Sequence, residues 1–390
     1  MYIETLIADL EHKLSWLLKS KFWLWKIIFV SVFIFIIVDF SGNASKLIYF
    51  RDFWDNEFVK GELDETHKII KEQSVDYFSF FKSGKDVTIP SYQHEAKMKF
   101  RLFLPTLVRI FGEKHFATWL YLLAIALGFV YLYIIAKVVL RILGEDVNRM
   151  LVFFFMAGFA SLYAGAGSFI MDISPYGDFF AFLFLLLSIY FKNPLLVFGF
   201  CQIAFWVDER ALVNAIYVIL WWTFIILPDK ELKFKISIQA LATVLSGIVY
   251  LAIRWYITTS YKLYDTVYIS EFVSTFYENI KMLSLRFWSG FEGMWLLILL
   301  ALVILLKEKK YLLLSALAGS LVVTVSFAFI AYDVNRGISY SFLAILLSLV
   351  ICKKYLSEKE LKYILLICFI VSVLSPTLNR FRVVGGWQFM

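Results

Sequence analysis

What most constrains this chain is a succession of apolar runs, each near the length at which a helix crosses a hydrocarbon core. They lie at about 22–38, 116–136, 150–171, 179–191, 195–227, 236–257, 287–306, 311–330, 338–351 and 361–375. Of the 390 residues, 61% are hydrophobic and 18% charged, whereas a soluble domain sits near half apolar and a quarter charged. A soluble core does not hide that much apolar surface, so lipid must cover the excess. The fold class that follows is all-α, a polytopic transmembrane helical bundle.

Charge placement sets the number of crossings. The run 195–227 is interrupted by Asp208, Glu209 and Arg210. Read as two short spans joined there, it puts every Lys-rich connection on one side. Those connections carry Lys137, Arg141 and Arg149, then Lys192, then Lys230, Lys233 and Lys235, then Lys307, Lys309 and Lys310, then Lys353, Lys354, Lys359 and Lys362. Short basic loops belong on the cytoplasmic side, and a charged triad at mid-bilayer costs about 2.5 kcal/mol or more per group. The layout is therefore about eleven spans with a cytoplasmic N-terminus. The net charge of +7 is explained by these anchors, and nucleic acid is not an expected partner.

Residues 1–21 mix Glu4, Asp9, Glu11, Lys13 and Lys19 with Ile7, Leu10, Leu14, Leu17 and Leu18, the pattern of an amphipathic interfacial helix rather than a cleaved leader. A membrane core follows over 22–230, including a long outer loop at 39–115 whose aromatic stretches predict surface helices. The C-terminal spans occupy 231–390, with a second outer loop at 258–286. The small residues at 157–167 (AGFASLYAGAG) predict a helix-packing face. Cys201, Cys352 and Cys368 form no CxxC pair, so neither a disulfide framework nor a thiolate metal site is expected.

The topology gathers the unusual ionisable residues on the outer side. Asp39 closes the first run, and Asp52, Asp55 and Glu57 follow in RDFWDNEF. Asp172 and Asp178 lie in MDISPYGD, Asp208, Glu209 and Arg210 at the short turn, and Asp333 and Arg336 after the ninth span. Glu292 falls about a turn into the run 287–306. Any one loop carboxylate is explained by solvation alone, but clusters of acids and Arg at span ends read as a functional site. No GxxxxGK[ST] or HExxH motif occurs, and His12, His67, His94 and His115 all lie outside the runs. ATP-driven transport, zinc peptidase and histidine-based acyl transfer are thereby disfavoured. Outer carboxylates can act as a base toward a hydroxyl or hold a divalent cation. Arginine matches phosphate with a bidentate fork.

The layout resembles the C-type (GT-C fold) membrane glycosyltransferases over about the first 230 residues. The resemblance is carried by RDFWDNEF, by FRLFLPTLVRIFG before the second span, by MDISPYGDFFAFLFLLLS, and by WVDERALVNA. It implies transfer of a sugar from a polyprenyl-phosphate carrier to an envelope glycan or lipid acceptor, at the outer face of a bacterial cytoplasmic membrane. In that frame Asp52 or Asp55 is the general base, with Asp39 third. His94 and Arg101 contact the carrier phosphate or simply anchor at the interface, and Asp172 and Asp178 line the site. Glu209 and Arg210 form an ion pair at the helix turn, or position the donor or a divalent cation (Mg or Mn). Arg336 with Asp333 recognises phosphate. A polysaccharide polymerase, a carrier or flippase for lipid-linked oligosaccharide, and a non-catalytic assembly protein are the competing functions.

Overall fold

A computed structural model describes residues 9–41, 100–111, 116–170, 177–226, 231–232, 234–260, 269–330 and 333–374. The long apolar helices begin with α1 (Trp23–Ser41), followed by α2 (Phe103–Phe111), α3 (Phe116–Leu143) and α4 (Arg149–Ala160). Next come α5 (Asp178–Tyr190), α6 (Pro194–Val207), α7 (Arg210–Asn214), α8 (Ile216–Phe224) and α9 (Ile238–Ser260). The remainder are α10 (Ile269–Ile280), α11 (Leu283–Phe291), α12 (Met294–Lys307), α13 (Tyr311–Ile330), α14 (Val334–Ser339), α15 (Leu343–Tyr355) and α16 (Glu358–Leu374). The described residues are essentially all helical, apart from one two-residue antiparallel pair, Ile225–Ile226 with Glu231–Leu232.

Among the described residues, four helices are long and apolar enough to cross a membrane, or up to six if each of two bent pairs is one span. Four more apolar helices are shorter: Trp23–Val38, Asp178–Tyr190, Pro194–Val207 and Arg210–Phe224. An eleven-span layout requires all of these, and α16 besides, to cross. The centre is occupied by α4, α5, α14 and α15, whose residues are nearly all buried. Around them α5 packs on α6, α4 on α16 and α1, and α12 on α15. The outermost helix, α9, leans on α6 and α8 and exposes Leu241, Leu245, Ile248, Leu251 and Trp255. An apolar face of that extent needs a non-aqueous neighbour.

Two expected spans are broken. The run 150–171 does not continue as one helix: α4 stops at Ala160, and the segment Tyr163–Ile170, a π turn over Tyr163–Gly167 followed by the short helix Ser168–Ile170, leaves at 69°. The chain leaves the helix at Leu162, which is extended (φ −77°, ψ 160°), and kinks again at Gly165 (φ −84°, ψ −116°), where a Cβ would lie 2.1 Å from the Phe159 carbonyl oxygen. Residues 157–167 therefore serve as a packing face only in part, at Gly158 against Met294 and Phe369. The run 287–306 is likewise two helices, α11 and α12, at 90°. Glu292 does not sit a turn inside a span but at the bend itself, buried, with φ +48° and ψ −129°. A non-glycine residue held there stores strain. The stretch 258–286 is not simply a loop either, because it contains α10 and the start of α11.

The N-terminal segment docks on one end of the bundle. Glu11 accepts from Asn148 Nδ2 at 3.0 Å and from Lys362 Nζ at 2.8 Å, while Arg149 donates to the Leu18 carbonyl and lies over Trp23. Burial works against an ionised Glu11, but the bonds from Lys362 and Asn148 outweigh it and hold the carboxyl below its ordinary value. A carboxyl with a lowered folded-state pKa stabilises fully above its unfolded pKa, and that contribution fades as pH falls through the folded value. Amide protection across residues 9–18, measured relative to the intrinsic exchange rate at each pH, is thus predicted to fall as the medium is acidified, and Glu11→Gln should abolish that pH dependence. Protection that is unchanged in acid would show that the contact does not hold the segment.

Candidate functional site

The opposite end of the bundle holds a buried ionic network. Its centre is Asp178, the first residue of α5. Gly177 precedes it at φ +90°, a left-handed conformation that suits glycine. A Cβ there would also lie 3.1 Å from Val207 and 3.3 Å from Leu104. This turn delivers a carboxylate with no exposed surface into the protein. Asp178 Oδ1 accepts from Arg210 Nη2 at 2.8 Å and from the Tyr340 hydroxyl at 2.9 Å. Its Oδ2 accepts from Arg336 Nε at 2.5 Å and from the Tyr163 hydroxyl at 3.2 Å.

Asp208 is the second buried carboxylate. It follows α6, and its Oδ1 accepts the backbone N–H of Arg210 at 2.8 Å, as short polar residues do just before a helix. The Arg210 guanidinium grips the same carboxylate with Nε at 2.9 Å and Nη2 at 2.8 Å, and lies 4.8 Å from the Tyr340 ring centroid. Arg101 Nη2 reaches Asp208 Oδ2 at 2.8 Å from just before α2. Burial opposes ionisation of Asp208, yet Arg101 and Arg210 overcome it and hold its carboxyl below the usual range. Asn214 and Ser341 extend the network: Asn214 donates to the Arg210 carbonyl and accepts from Ser341 at 2.6 Å.

The three arginines differ in access. Arg210 is locked between two carboxylates, whereas the side chains of Arg101 and Arg336 keep 16% and 18% exposure. Arg101 Nε is buried and has no hydrogen-bond partner among the described residues. A guanidinium carries five donors in a fixed fork, so an arginine clamped from behind by Asp208 presents oriented N–H groups in front. Asp333 touches Arg336 Nη1 at a loose 3.4 Å and is itself 39% exposed.

Sequence-based expectations distribute across this geometry unevenly. Asp178, Glu209, Arg210, Arg101, Arg336 and Asp333 come together although they are up to 235 positions apart between Arg101 and Arg336 (336 − 101). Asp52, Asp55, His94 and Asp172 lie outside the described residues, as does the side chain of Asp39. The expected Glu209–Arg210 ion pair is not what forms: Arg210 turns inward to Asp208 and Asp178, because a buried guanidinium needs buried counter-charge. Asp208 was noted by sequence reasoning as part of the charged turn but given no role of its own, and Tyr340 and Tyr163 were not singled out, since a tyrosine in or beside an apolar run carries no signal.

Among the described residues, no group of three or more His, Cys, Asp or Glu is placed to hold a metal ion. Asp178 and Asp208 have their oxygens occupied by guanidinium, hydroxyl and amide donors. They do not offer the oxygen cage a divalent cation needs. The fit to Mg or Mn is therefore poor at this site, and the chemistry below uses no metal.

No family model, curated protein or solved structure matches this chain. Its function must be argued from the network itself.

Proposed function

We propose that the chain is a multi-pass membrane glycosyltransferase with the C-type fold, using a polyprenyl-phosphate-linked sugar as donor and an envelope glycan or lipid as acceptor. In this reading it sits in a bacterial cytoplasmic membrane, crosses about eleven times by using the shorter helices too, and has its N-terminus inside. The ionic network then faces outward, at the end of the bundle opposite Glu11, Arg149 and Lys362. The observation that carries the reading is the pair of partly exposed arginines, Arg101 and Arg336, each fixed by a fully buried aspartate. Pre-oriented guanidiniums suit phosphate oxygens. They would bind the carrier phosphate and stabilise charge as it develops on the leaving oxygen. The base toward the acceptor hydroxyl is assigned to the outer loop, at Asp52, Asp55 or Asp39, and no divalent ion is assigned a role.

Arg101→Gln is the informative variant, since Asp208 keeps the Arg210 fork and the fold is spared. Losing one charge-assisted contact of about 1.5–3 kcal/mol should weaken donor use by roughly ten- to a hundredfold. The assay is release of carrier from pooled polyprenyl-phosphate sugars by reconstituted protein. Unchanged donor use in the variant would remove Arg101 from the site.

One observation favours a second reading, a carrier for lipid-linked oligosaccharide. Discontinuous membrane helices are a transporter feature, and the run 287–306 bends by 90° at Glu292. Movement of intact donor across the vesicle bilayer, without sugar transfer, would decide for the carrier.

A further inference from the structure

Helices α1 and α3 lie side by side and antiparallel. Two ring contacts fix their register: Trp25 stacks on Tyr133 with centroids 4.9 Å apart, and Phe29 meets Phe129 at 5.2 Å. Beside that seam each helix exposes an apolar stripe. Lys26, Phe29, Phe33 and Ile37 share one face of α1, while Leu123, Val130 and Lys137, seven residues apart, share one face of α3. Each stripe carries one lysine, and the register puts both at the end of the bundle where the N-terminal segment docks. Arg141, a turn beyond Lys137, is turned aside to the Tyr190 carbonyl and ring. Lys26 falls level with residue 132, about 7 Å along the axis from Lys137. A lysine stem spans such a gap by reaching toward the headgroups. Lys26 does reach that way, since its Nζ lies 5.2 Å from the ring centroid of Trp16 on the short helix Ser15–Leu18. Lys137 Nζ lies 5.6 Å from the Tyr133 ring.

Neither lysine forms an ion pair among the described residues. The acids at this end are engaged elsewhere or out of reach: Asp9 pairs with Lys13 and Glu11 with Lys362, while Glu145 and Asp146, after α3, meet neither Lys26 nor Lys137. The rings beneath attract the cations but do not neutralise them. We propose that the seam of α1 and α3 is a binding site for an anionic phospholipid. Its phosphate is held between Lys26 and Lys137, and its acyl chains lie along the two stripes. Charge and shape together select this occupant. Two uncompensated ammonium groups at one end call for an anion, and the exposed Phe29, Phe33 and Val130 below them call for hydrocarbon. A zwitterionic lipid brings its own cation and offsets the attraction, and a free phosphate leaves both stripes uncovered. The site lies at the opposite end of the bundle from the ionic network and is independent of the reaction proposed for it.

The test titrates the purified full chain in detergent with phosphatidylglycerol or with phosphatidylcholine of the same acyl chains, and counts bound lipid by native mass spectrometry. Wild type should bind one phosphatidylglycerol about tenfold or more tighter than phosphatidylcholine. Lys26→Gln and Lys137→Gln should each weaken that lipid by about fivefold, and the two together by roughly thirtyfold, with phosphatidylcholine binding unchanged. Lys309→Gln with Lys310→Gln removes the same charge from the exposed loop between α12 and α13 and should leave the first phosphatidylglycerol as tightly bound as in wild type. Glycerol phosphate, the headgroup without its chains, should not displace the lipid. If the Lys26 and Lys137 double variant fails to fold, the two single variants decide. Equal wild-type affinity for the two lipids would overturn the proposal. So would equal losses in the two double variants, which would reduce the preference to diffuse attraction. Displacement by glycerol phosphate would show that the apolar stripes hold no chains, and would overturn it as well.

Discussion

Asp178→Asn should lower the unfolding free energy by about 3–5 kcal/mol, the scale for removing one partner of a buried ion pair. The substitution keeps the shape of the side chain and removes its charge. Arg336 then faces a neutral amide where it had a carboxylate oxygen at 2.5 Å, and Arg210 loses one of its two carboxylates. The Tyr340 hydroxyl, donating at 2.9 Å, meets an amide whose nitrogen cannot accept. These losses converge on one side chain with no exposed surface, so water cannot compensate. Tyr163→Phe is the matched control. It deletes the 3.2 Å hydrogen bond to the same carboxylate while leaving every charge in place, and should cost about 1 kcal/mol. Chemical unfolding in bicelles measures both, and equal midpoints for Asp178→Asn and wild type would show that the network does not hold the bundle together. The prediction concerns a broken pair; it does not imply that the intact network outperforms an apolar replacement of the same volume.

The second large effect is expected at Gly165. A Cβ at this position would lie 2.1 Å from the Phe159 carbonyl oxygen and 2.8 Å from the Ala160 Cα. Both are backbone atoms, so no rotamer change relieves the overlap, and the break between α4 and the π turn must open. Overpacking in a rigid core costs about 1–3 kcal/mol, and more where the obstacle cannot move. Gly165→Ala should sit at the upper end of that range. Because the π turn carries Tyr163 to Asp178, the variant should disturb the ionic site as well as stability. Gly199→Ala and Gly319→Ala provide the contrast. Each lies within a helix with open space around the added methyl, and each should be neutral or stabilising by about 0.5–1 kcal/mol. Parallel thermal melts of the three variants test this, and a benign Gly165→Ala would mean that the break is not glycine-dependent.

How much of this was readable in advance depends on the range of the interaction concerned. Helix α13 follows its apolar run end to end, because a long apolar stretch leaves the backbone no option but internal hydrogen bonding. The interruption at Asp208–Arg210 was equally legible, since three adjacent ionisable residues inside an apolar run mark a turn. The bends were not. A Gly in a small-residue stretch reads equally well as a close helix contact, and only Phe159 and Ala160 lying beneath Gly165 decide for a break. At Glu292 the neighbour Gly293 fits against the Cys368 carbonyl, where a Cβ would be 2.3 Å away, and that contact comes from a helix far along the chain.

The sequence alone determined which segments are helical and apolar, and which short connections carry acid and arginine, because hydrophobicity and charge are properties each residue has wherever it lies. Tertiary structure alone decided the pairing. Arg210 had Glu209 beside it in the chain yet bonds Asp178, 32 positions away, and Arg336 meets the same carboxylate from 158 positions away. A buried charge goes where desolvation is compensated by an opposite charge and hydrogen bonds, and only the packing of α5, α7 and α14 brings those partners to one point.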